Sequence, residues 1–212
     1  MAESDPRIVE ALVKQLTEWR RSLDAGAHRV GWKIGINVPE AQRKLGIREP
    51  VIGHLISTTH LADGATFDAS SAAELRVEPE VALHMGGNGE IAGYGAAIEI
   101  VDTGNAPGDV ESIVATNIFH RGFLLAEAQP AMPAGLQAEL RVDEELRASG
   151  DAPPHYTDVV ELVSRLLRDA GEELRSGDVI IAGSLTPPQA VQPGERVDVG
   201  LGPLGSLTVS IA

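Results

Sequence analysis

The 212-residue sequence contains no cysteine, which excludes disulfide bonds, thiolate metal sites and cysteine nucleophiles. Aromatic residues make up only 3% of the chain, so the core must be built from aliphatic side chains, and few rings are available to stack on bases or sugars. No apolar run approaches the roughly 20 residues that a membrane-spanning helix needs. Any metal ion in this protein must therefore be held by oxygen or imidazole ligands.

Basic residues are also scarce, because 17 Lys and Arg stand against 31 Asp and Glu and give a formal net charge of −14. This sign repels phosphate backbones and anionic lipids, so neither nucleic acid nor membrane is an expected partner. The apolar fraction of 43% is typical of a folded chain. Since the N-terminal segment is acidic instead of basic and then apolar, we expect a cytoplasmic protein.

The hydrophobic pattern predicts several short strands and a few helices. Residues 8–23 have helical periodicity behind an Asp5-Pro6 start, and further helices are expected at 39–46, 110–122 and 159–171. Runs with strand character are separated by Gly, Pro, Asn or Asp; they are 30–36, 51–56, 65–67, 75–85, 91–102, 123–126, 136–142, 178–182, 196–201 and 206–211. The segments 127–135, 148–155 and 187–194 are predicted to be loops.

These elements predict an α+β fold. Because strands and helices do not alternate regularly, we expect mixed, mostly antiparallel sheets rolled into a barrel or sandwich with flanking helices. We find no internal repeat, and the predicted loops are too short for interdomain linkers. The sequence therefore predicts a single domain over 1–212, with an N-terminal helical extension at 1–28 and a β-rich catalytic core at 29–212.

Three glutamates stand out as candidate metal ligands. On a strand, Glu78 and Glu80 project from the same face about 7 Å apart, and two anions at that distance repel unless a cation lies between them. Glu99 lies in an apolar run, where an unpartnered acid is costly to bury. Three carboxylates without thiols suit Mg²⁺ or Mn²⁺. In the alternative interpretation, Glu78 and Glu80 line a solvated edge and Glu99 pairs with an arginine.

Lys33 and the turn after residue 182 are the other candidates. Lys33 lies between glycines in an apolar strand, where burial disfavours the charged amine and favours acid/base chemistry; the alternative is a snorkelling or salt-bridged side chain. Gly183, Ser184 and Thr186 form a turn whose backbone and hydroxyls could bind a carboxylate, although an ordinary turn has the same composition. The histidines show no close ligand spacing, so structural or solvated positions are expected for them.

Four motifs occur together in a specific order, namely Gly31-Trp-Lys-Ile-Gly35, Val77-Glu-Pro-Glu80, Ala97-Ile-Glu-Ile-Val-Asp102 and Gly183-Ser-Leu-Thr-Pro187. From about Gly31 to the C-terminus, the sequence resembles the 2-oxopent-4-enoate (2-hydroxypentadienoate) hydratase and oxalocrotonate decarboxylase family. That family belongs to the fumarylacetoacetate hydrolase superfamily. Because the motifs are separate, the resemblance is more specific than any one of them.

The resemblance implies a fold like the C-terminal domain of fumarylacetoacetate hydrolase and a metal-dependent lyase that hydrates or decarboxylates a small 2-oxo acid or its dienol. By the resemblance, Glu78, Glu80 and Glu99 bind Mg²⁺ or Mn²⁺, and Lys33 is the catalytic acid/base. The turn would contribute Gly183, Ser184, Leu185 and Thr186 to the substrate pocket. A homo-oligomer is also implied.

The sequence departs from the family pattern at three places. Only Val81–Ile98 separates the second and third glutamates, whereas relatives usually have a longer connection. Many hydratases carry an acidic residue in the element that is Pro50-Val-Ile-Gly53 here, so the usual route to water activation lacks its carboxylate. His120 and Arg121 stand where small polar residues are common among relatives, so they are candidates to reshape the pocket, a surface position being the alternative.

Two other functions compete with the lyase. One is a carbon–carbon bond hydrolase acting on acylpyruvate-like compounds, although the sequence shows neither a Lys-Gly-Lys-rich segment nor the catalytic Glu-His dyad of such hydrolases. The other is a non-catalytic partner subunit with the same fold, which the short connection and Val51-Ile52 favour. The presence of all three glutamates and Lys33 favours the lyase.

Overall fold

The computed structural model describes residues 4–212, so the first three residues of the predicted 1–28 extension lie outside the described part. Its helices are α1 (Pro6–Asp24), α2 (Pro39–Leu45), α3 (Val110–Ala115) and α4 (Thr157–Asp169). Short 3₁₀ turns occupy Ser57–Thr59 and Gly202–Leu204. None of the described helices is long and apolar enough to cross a membrane.

The strands form two sheets, which confirms the α+β class with mixed pairing. The larger, seven-stranded sheet contains β1 (Arg29–Gly35), β2 (Val51–Ile56), β4 (Leu75–Met85), β5 (Ile91–Asp102), β6 (His120–Leu125), β9 (Val179–Ile181) and β10 (Gln189–Ala190). The smaller, five-stranded sheet contains β3 (Thr66–Phe67), β7 (Gln137–Val142), β8 (Glu145–Asp151), β11 (Arg196–Gly200) and β12 (Ser206–Ile211).

The larger sheet has the strand order β2-β1-β9-β4-β5-β6, with β10 also beside β4. β1 and β9 run parallel, and the other pairs of this sheet are antiparallel. β4 and β5 form a long hairpin whose connection is only residues 86–90, and both strands have the predicted bounds. The short connection between the second and third glutamates is therefore a direct hairpin.

The larger sheet is buried on both faces. One face contributes Trp32, Val81 and Ile98 to the main core, which also includes residues of the smaller sheet. The opposite face carries a second apolar cluster, made of Leu55, Ala82, Ala97, Phe123, Val179 and Ile181. Because side chains alternate along a strand, Glu78 and Glu80 lie on the face of Ala82, and Glu99 lies on the face of Ala97. The candidate glutamates therefore share the face of the second cluster.

Helix α1 begins where the sequence predicts it. The Asp5 side chain accepts a hydrogen bond from the Arg7 backbone N–H at 3.0 Å, and Pro6 occupies the first helical turn. Its apolar stripe, Ile8, Leu12, Leu16 and Trp19, is buried in the main core. Burial of one such leucine stabilises a fold by about 1.5–3 kcal/mol, so α1 contributes substantially to the core.

Three sequence predictions are wrong in detail. The helix predicted at 110–122 ends at Ala115, because Asn117, Ile118 and Phe119 all have positive φ and turn the chain into β6. The first half of the predicted 148–155 loop belongs to β8, a largely exposed strand whose polar sequence gives no hydrophobic pattern for its pairing with β7. The predicted 187–194 loop contains β10, a two-residue pairing with β4 that leaves no hydrophobic pattern.

Candidate active site

Three glutamates converge on the larger sheet. Glu78 and Glu99 are direct partners across the antiparallel β4–β5 pair, and Glu80 follows Glu78 on the same face. One carboxylate oxygen from each of the three residues lies within 4.8 Å of the others. Glu80 is 0% exposed and Glu78 is partly buried, so the alternative in which both line a solvated edge is wrong.

Burial and the charges of neighbouring groups shift the pKa values of the three clustered carboxyls. Burial and the nearby charge of Glu99 raise the pKa of Glu78 to about 7. Burial, together with the charges of Glu99 and Glu78, raises the pKa of Glu80 well above its ordinary value. Burial also acts on Glu99, but Lys33 and His120 more than offset it and lower the pKa of that carboxyl. Glu99 is therefore the carboxylate whose negative charge the protein itself stabilises, and a further cation would favour ionisation of the other two.

Lys33 supplies a positive charge inside the cluster. It lies in β1 and is 1% exposed, and its Nζ forms an ion pair with Glu99 Oε1. Nζ also donates a hydrogen bond to the Ile118 carbonyl at 3.0 Å. Lys33 is therefore salt-bridged, as one alternative predicted. The partner of Glu99 is this lysine, whereas the sequence analysis had suggested an arginine. Two of the three Nζ donors are engaged, which leaves one for another group.

Two carboxylate oxygens of the cluster are left without donors. Glu80 Oε2 accepts a hydrogen bond from the Gly183 backbone N–H at 2.6 Å, and Glu99 Oε1 contacts Lys33 and His120. Glu80 Oε1 and Glu99 Oε2 are buried and have no hydrogen-bond partner among residues 4–212. Buried polar atoms without partners are costly. A hard divalent cation with oxygen ligands fits this donor set, because it would satisfy both oxygens and offset the repulsion among the three carboxylates.

The turn after β9 lies beside the cluster, and its four residues have different positions. Gly183 has a φ of +96°, and a Cβ there would lie 2.7 Å from Asn37 Nδ2, so the close approach of its N–H to Glu80 requires glycine. The Ser184 hydroxyl donates to the Thr186 carbonyl at 2.6 Å. Leu185 donates its backbone N–H to the Pro79 carbonyl at 2.9 Å and packs on the main core.

A cavity of about 410 Å³ opens next to Lys33 and Glu78. Ser184 and Thr186 line it, whereas Leu185 does not. Most of its remaining wall is apolar and consists of Ile34, Ile36, Val38, Ala41, Val101, Ile118, Phe119 and Pro188. The second lysine of the cavity, Lys44, is exposed and forms an ion pair with Glu40 at 2.9 Å. Away from the glutamates, this cavity therefore offers a substrate mainly hydrocarbon surface.

His120 also belongs to the site, although the sequence analysis predicted it to lie at the end of a helix. Its Nδ1 lies 2.7 Å from Glu99 Oε1 and its Nε2 lies 3.1 Å from Thr59 Oγ1. Arg121 instead forms an ion pair with Asp102 at 3.2 Å and does not reach the cluster. The run from residue 120 to 125 would have revealed this contact only if it had been recognised as a strand beside β5.

A second buried group near the cluster is Tyr156, which sequence reasoning also missed. Its hydroxyl is buried without a hydrogen-bond partner among the described residues. Burial and the neighbouring charge of Glu80 raise the pKa of this phenol. A cleft of about 980 Å³ that Tyr156 lines includes neither the three clustered glutamates nor Lys33, whereas the smaller cavity includes Lys33 and Glu78.

Comparison with known proteins connects this geometry with a family. Residues 121–212 match the family described as fumarylacetoacetate (FAA) hydrolase C-terminal. The chain is 26% identical to a 2-keto-4-pentenoate hydratase of Paraburkholderia xenovorans (strain LB400), over 96% of this chain and 83% of that protein. It is also 26% identical to a 4-oxalocrotonate decarboxylase of Pseudomonas putida, over 89% of this chain and 80% of that protein.

Solved structures share the fold. The structure of 4-oxalocrotonate decarboxylase from Pseudomonas putida G7 complexed with magnesium and adipate has a TM-score of 0.87 at 22% identity, covering 97% of this chain and 86% of that one. Fumarylpyruvate hydrolase from Pseudomonas aeruginosa in complex with Mn²⁺ and pyruvate has a TM-score of 0.68 at 21% identity, covering 87% and 89%. The resemblance found in the sequence is thus confirmed: the C-terminal part of the chain matches the fumarylacetoacetate hydrolase C-terminal family, and the chain is similar to 2-keto-4-pentenoate hydratases and 4-oxalocrotonate decarboxylases.

Proposed function

We propose that the protein is a divalent-metal-dependent lyase that acts on a small 2-oxo acid or its dienol, by hydration or decarboxylation. The observation that carries this proposal is the pair of buried, unpartnered oxygens, Glu80 Oε1 and Glu99 Oε2, next to a lysine that lines a cavity. Glu78, Glu80 and Glu99 would hold Mg²⁺ or Mn²⁺. A bound cation supplies Lewis-acid stabilisation of the enolate, which is common to both reactions.

Lys33 is the residue we assign to proton transfer. Its Nζ is held by Glu99 and the Ile118 carbonyl, so the ammonium has a fixed position at the edge of the cavity. The remaining donor of Nζ is available for a substrate atom that gains or loses a proton. Because the lysine is 1% exposed, bulk water has little access to this proton.

The cavity favours a substrate with an apolar tail. A second carboxylate would enter a largely hydrocarbon wall that already carries the acidic side chains of Glu78 and Glu40. The basic residues of the cavity are Lys33 and Lys44, and each is paired with a glutamate. Burial of an uncompensated carboxylate costs several kcal/mol. We therefore assign a monocarboxylic 2-oxo acid with a hydrocarbon tail to this site.

The hydrolase alternative gains less support. The Glu99–His120 contact is a glutamate–histidine pair, but Nε2 of His120 is directed at Thr59 and the residue does not line the cavity beside Lys33. Its imidazole is therefore not placed to activate water on a substrate there. A partner-subunit role without catalysis is compatible with Val51-Ile52, the element in which many hydratases carry an acid, and it predicts a metal site without turnover.

The test is an absorbance assay of purified protein with Mg²⁺ or Mn²⁺ and three substrates: 2-hydroxypentadienoate, oxalocrotonate and acetylpyruvate. Metal-dependent loss of the dienol chromophore, faster with the monocarboxylate, is expected. Cleavage of acetylpyruvate alone would support the hydrolase. No reaction with any of the three, combined with metal binding, would support the non-catalytic subunit. The cytoplasmic location and the homo-oligomeric state stay predictions.

A further inference from the structure

His120 is buried against the acidic cluster and touches one glutamate only. Its side chain is 2% exposed, its Nδ1 lies 2.7 Å from Glu99 Oε1, and its ring packs on Phe123 with centroids 5.8 Å apart. Resting on the metal site proposed above, we infer that His120 is a positioning residue that fixes the Glu99 carboxylate so that Oε2, not Oε1, is free for the cation. This role is separate from proton transfer.

A β-bulge brings His120 to the correct face. Glu99 pairs with Phe123 and Ile100 pairs with Gly122, but the next pair is Val101 with His120, so Arg121 is left out of the register. In an uninterrupted strand, position 121 would alternate onto the face of Glu99. Because of the bulge, His120 occupies this position instead, and the Arg121 side chain forms an ion pair with Asp102.

The strained turn before β6 supports the same placement. Asn117, Ile118 and Phe119 have φ values of 64°, 52° and 63°, in the left-handed region that β-branched and bulky residues avoid. The Asn117 amide fastens the turn to β2, because its Oδ1 accepts from the His54 N–H at 2.8 Å and its Nδ2 donates to the His54 carbonyl at 3.1 Å. This turn presents the Ile118 carbonyl to Lys33 and starts β6 at His120.

Both ring nitrogens of His120 are engaged within the protein. Glu99 is the carboxylate whose negative charge the protein stabilises, so the nitrogen next to it carries a proton and donates. The Nε2 of His120 lies 3.1 Å from Thr59 Oγ1, within hydrogen-bond distance. A ring that is held at both nitrogens and donates to Oε1 limits the rotation of the Glu99 carboxylate.

Lys33 alone would not fix Glu99 as well. The lysine also contacts Oε1, but its ammonium has three equivalent donors and therefore sets no single direction for the carboxylate. The His120 ring contacts Thr59 and Glu99 through its two nitrogens and packs against Phe123 at an interplanar angle of 41°, so its donor has one direction. Together the two donors occupy Oε1 and leave Oε2 as the buried oxygen without a partner.

The experiment compares Mn²⁺ affinity, measured by calorimetric titration, in the wild type and in His120→Ala, His120→Asn and His60→Ala. His120→Ala is expected to weaken Mn²⁺ binding about 10- to 100-fold, which is the usual effect of losing a group that orients a metal ligand. His120→Asn keeps a donor near Nδ1 and is expected to recover most of the affinity. His60→Ala is the control, because His60 stacks on the same Phe123 with centroids 4.8 Å apart but His60 forms no hydrogen bond to Glu99.

The outcomes separate this inference from the proposed function. If wild-type protein binds no Mn²⁺, the metal site itself is refuted, and the positioning role with it. If the wild type binds and His120→Ala binds equally well, or if His120→Asn is no better than alanine, the positioning role is wrong while the metal site stands. Should the alanine variant fail to fold, His120→Phe keeps an aromatic ring on Phe123 without the donor, and it must show the same loss of affinity.

Discussion

Glu78 and Glu99 face each other directly across the β4–β5 hairpin, as cross-strand partners on the same face of the sheet. Like charges in this position destabilise a sheet unless something compensates them. The hairpin needs only residues 86–90 to set this register, so the short connection noted in the sequence still brings the third glutamate to the first two. Lys33 compensates one negative charge, and a divalent cation would compensate the rest.

The pH dependence of metal binding follows from this crowding. The pKa of Glu78 is raised to about 7 and that of Glu80 well above its ordinary value, so the metal-free fold holds protons that the unfolded chain has lost. A cation must displace these protons, so metal affinity should rise with pH up to and above 7, by about tenfold per pH unit for each proton released. Without metal, the same ionisation should lower stability as pH rises from about 4.5 to 7.

The measurement is thermal unfolding from pH 5.5 to 8, with and without Mg²⁺. We expect the Mg²⁺-induced rise in Tm to be small at pH 5.5 and largest at pH 8. A metal-induced shift of the same size at both ends of this range would contradict the raised pKa values.

Removal of the buried lysine should separate metal binding from catalysis. Lys33→Met leaves the Glu99 carboxylate without its ion-pair partner, which should destabilise the metal-free protein by about 3–5 kcal/mol. Mn²⁺ should bind at least as tightly as in the wild type, because the ammonium no longer repels it, and turnover should be lost. Urea unfolding and calorimetry provide the two readouts.

The matched control is Lys14→Met, which breaks an exposed i,i+4 pair with Glu10. Such a pair contributes 0–1 kcal/mol, so stability, Mn²⁺ affinity and turnover should change little. Wild-type turnover in Lys33→Met would show that the lysine does not transfer the proton.

Gly53 of β2 packs closely against the Lys33 side chain and leaves no room for a Cβ. A Cβ at this position would lie 2.5 Å from Asn117 Oδ1 and 2.9 Å from Lys33 Cγ, so something must shift. Gly53→Ala should therefore cost about 1–3 kcal/mol of stability and reduce kcat about tenfold or more by displacing the lysine. Gly200→Ala in β11 is the control, because its Cβ would meet nothing within 4 Å. Equal effects of the two substitutions on kcat would contradict this packing.

The long strands and the acidic cluster were predictable from the sequence, because their signal is local. The runs 75–85 and 91–102 alternate over many residues between turn-forming clusters, and their bounds match β4 and β5. The shared face of Glu78 and Glu80 follows from the strand period of two. Identification of Glu99 as the cross-strand partner also required the register of the hairpin. The short connection between the two strands restricts that register to few possibilities.

The contacts made through irregular backbone were not predictable. His120 reaches Glu99 through a bulge and a turn of three left-handed residues, and neither has a hydrophobic period that a sequence would show. The helical spacing of apolar residues in the sequence continues beyond Ala115, although the backbone is not helical there. The role of Gly183 as a donor to Glu80 depends on a contact between positions 103 residues apart.

Substrate selection should follow the apolar wall of the cavity. Val38 lines the cavity and is 54% exposed, so Val38→Arg places a guanidinium at its edge without burying it. The ratio of kcat/KM for oxalocrotonate to that for 2-hydroxypentadienoate should rise about tenfold, since a charge-assisted hydrogen bond contributes roughly 1.5–3 kcal/mol. Val13→Arg on α1, at a position 42% exposed, is the control and should leave the ratio unchanged. A wild-type preference for the dicarboxylate would contradict the assignment of an apolar tail.

The central claim is that Glu78, Glu80 and Glu99 bind one divalent cation, and calorimetric titration of Mn²⁺ into wild-type protein and Glu80→Gln at pH 8 tests it most directly. Glutamine keeps an oxygen that can accept from the Gly183 N–H but removes the charge of the most buried ligand. We predict one Mn²⁺ per chain in the wild type and an affinity reduced at least 100-fold in Glu80→Gln. Equal Mn²⁺ binding by the two proteins, or none by the wild type, would contradict the account.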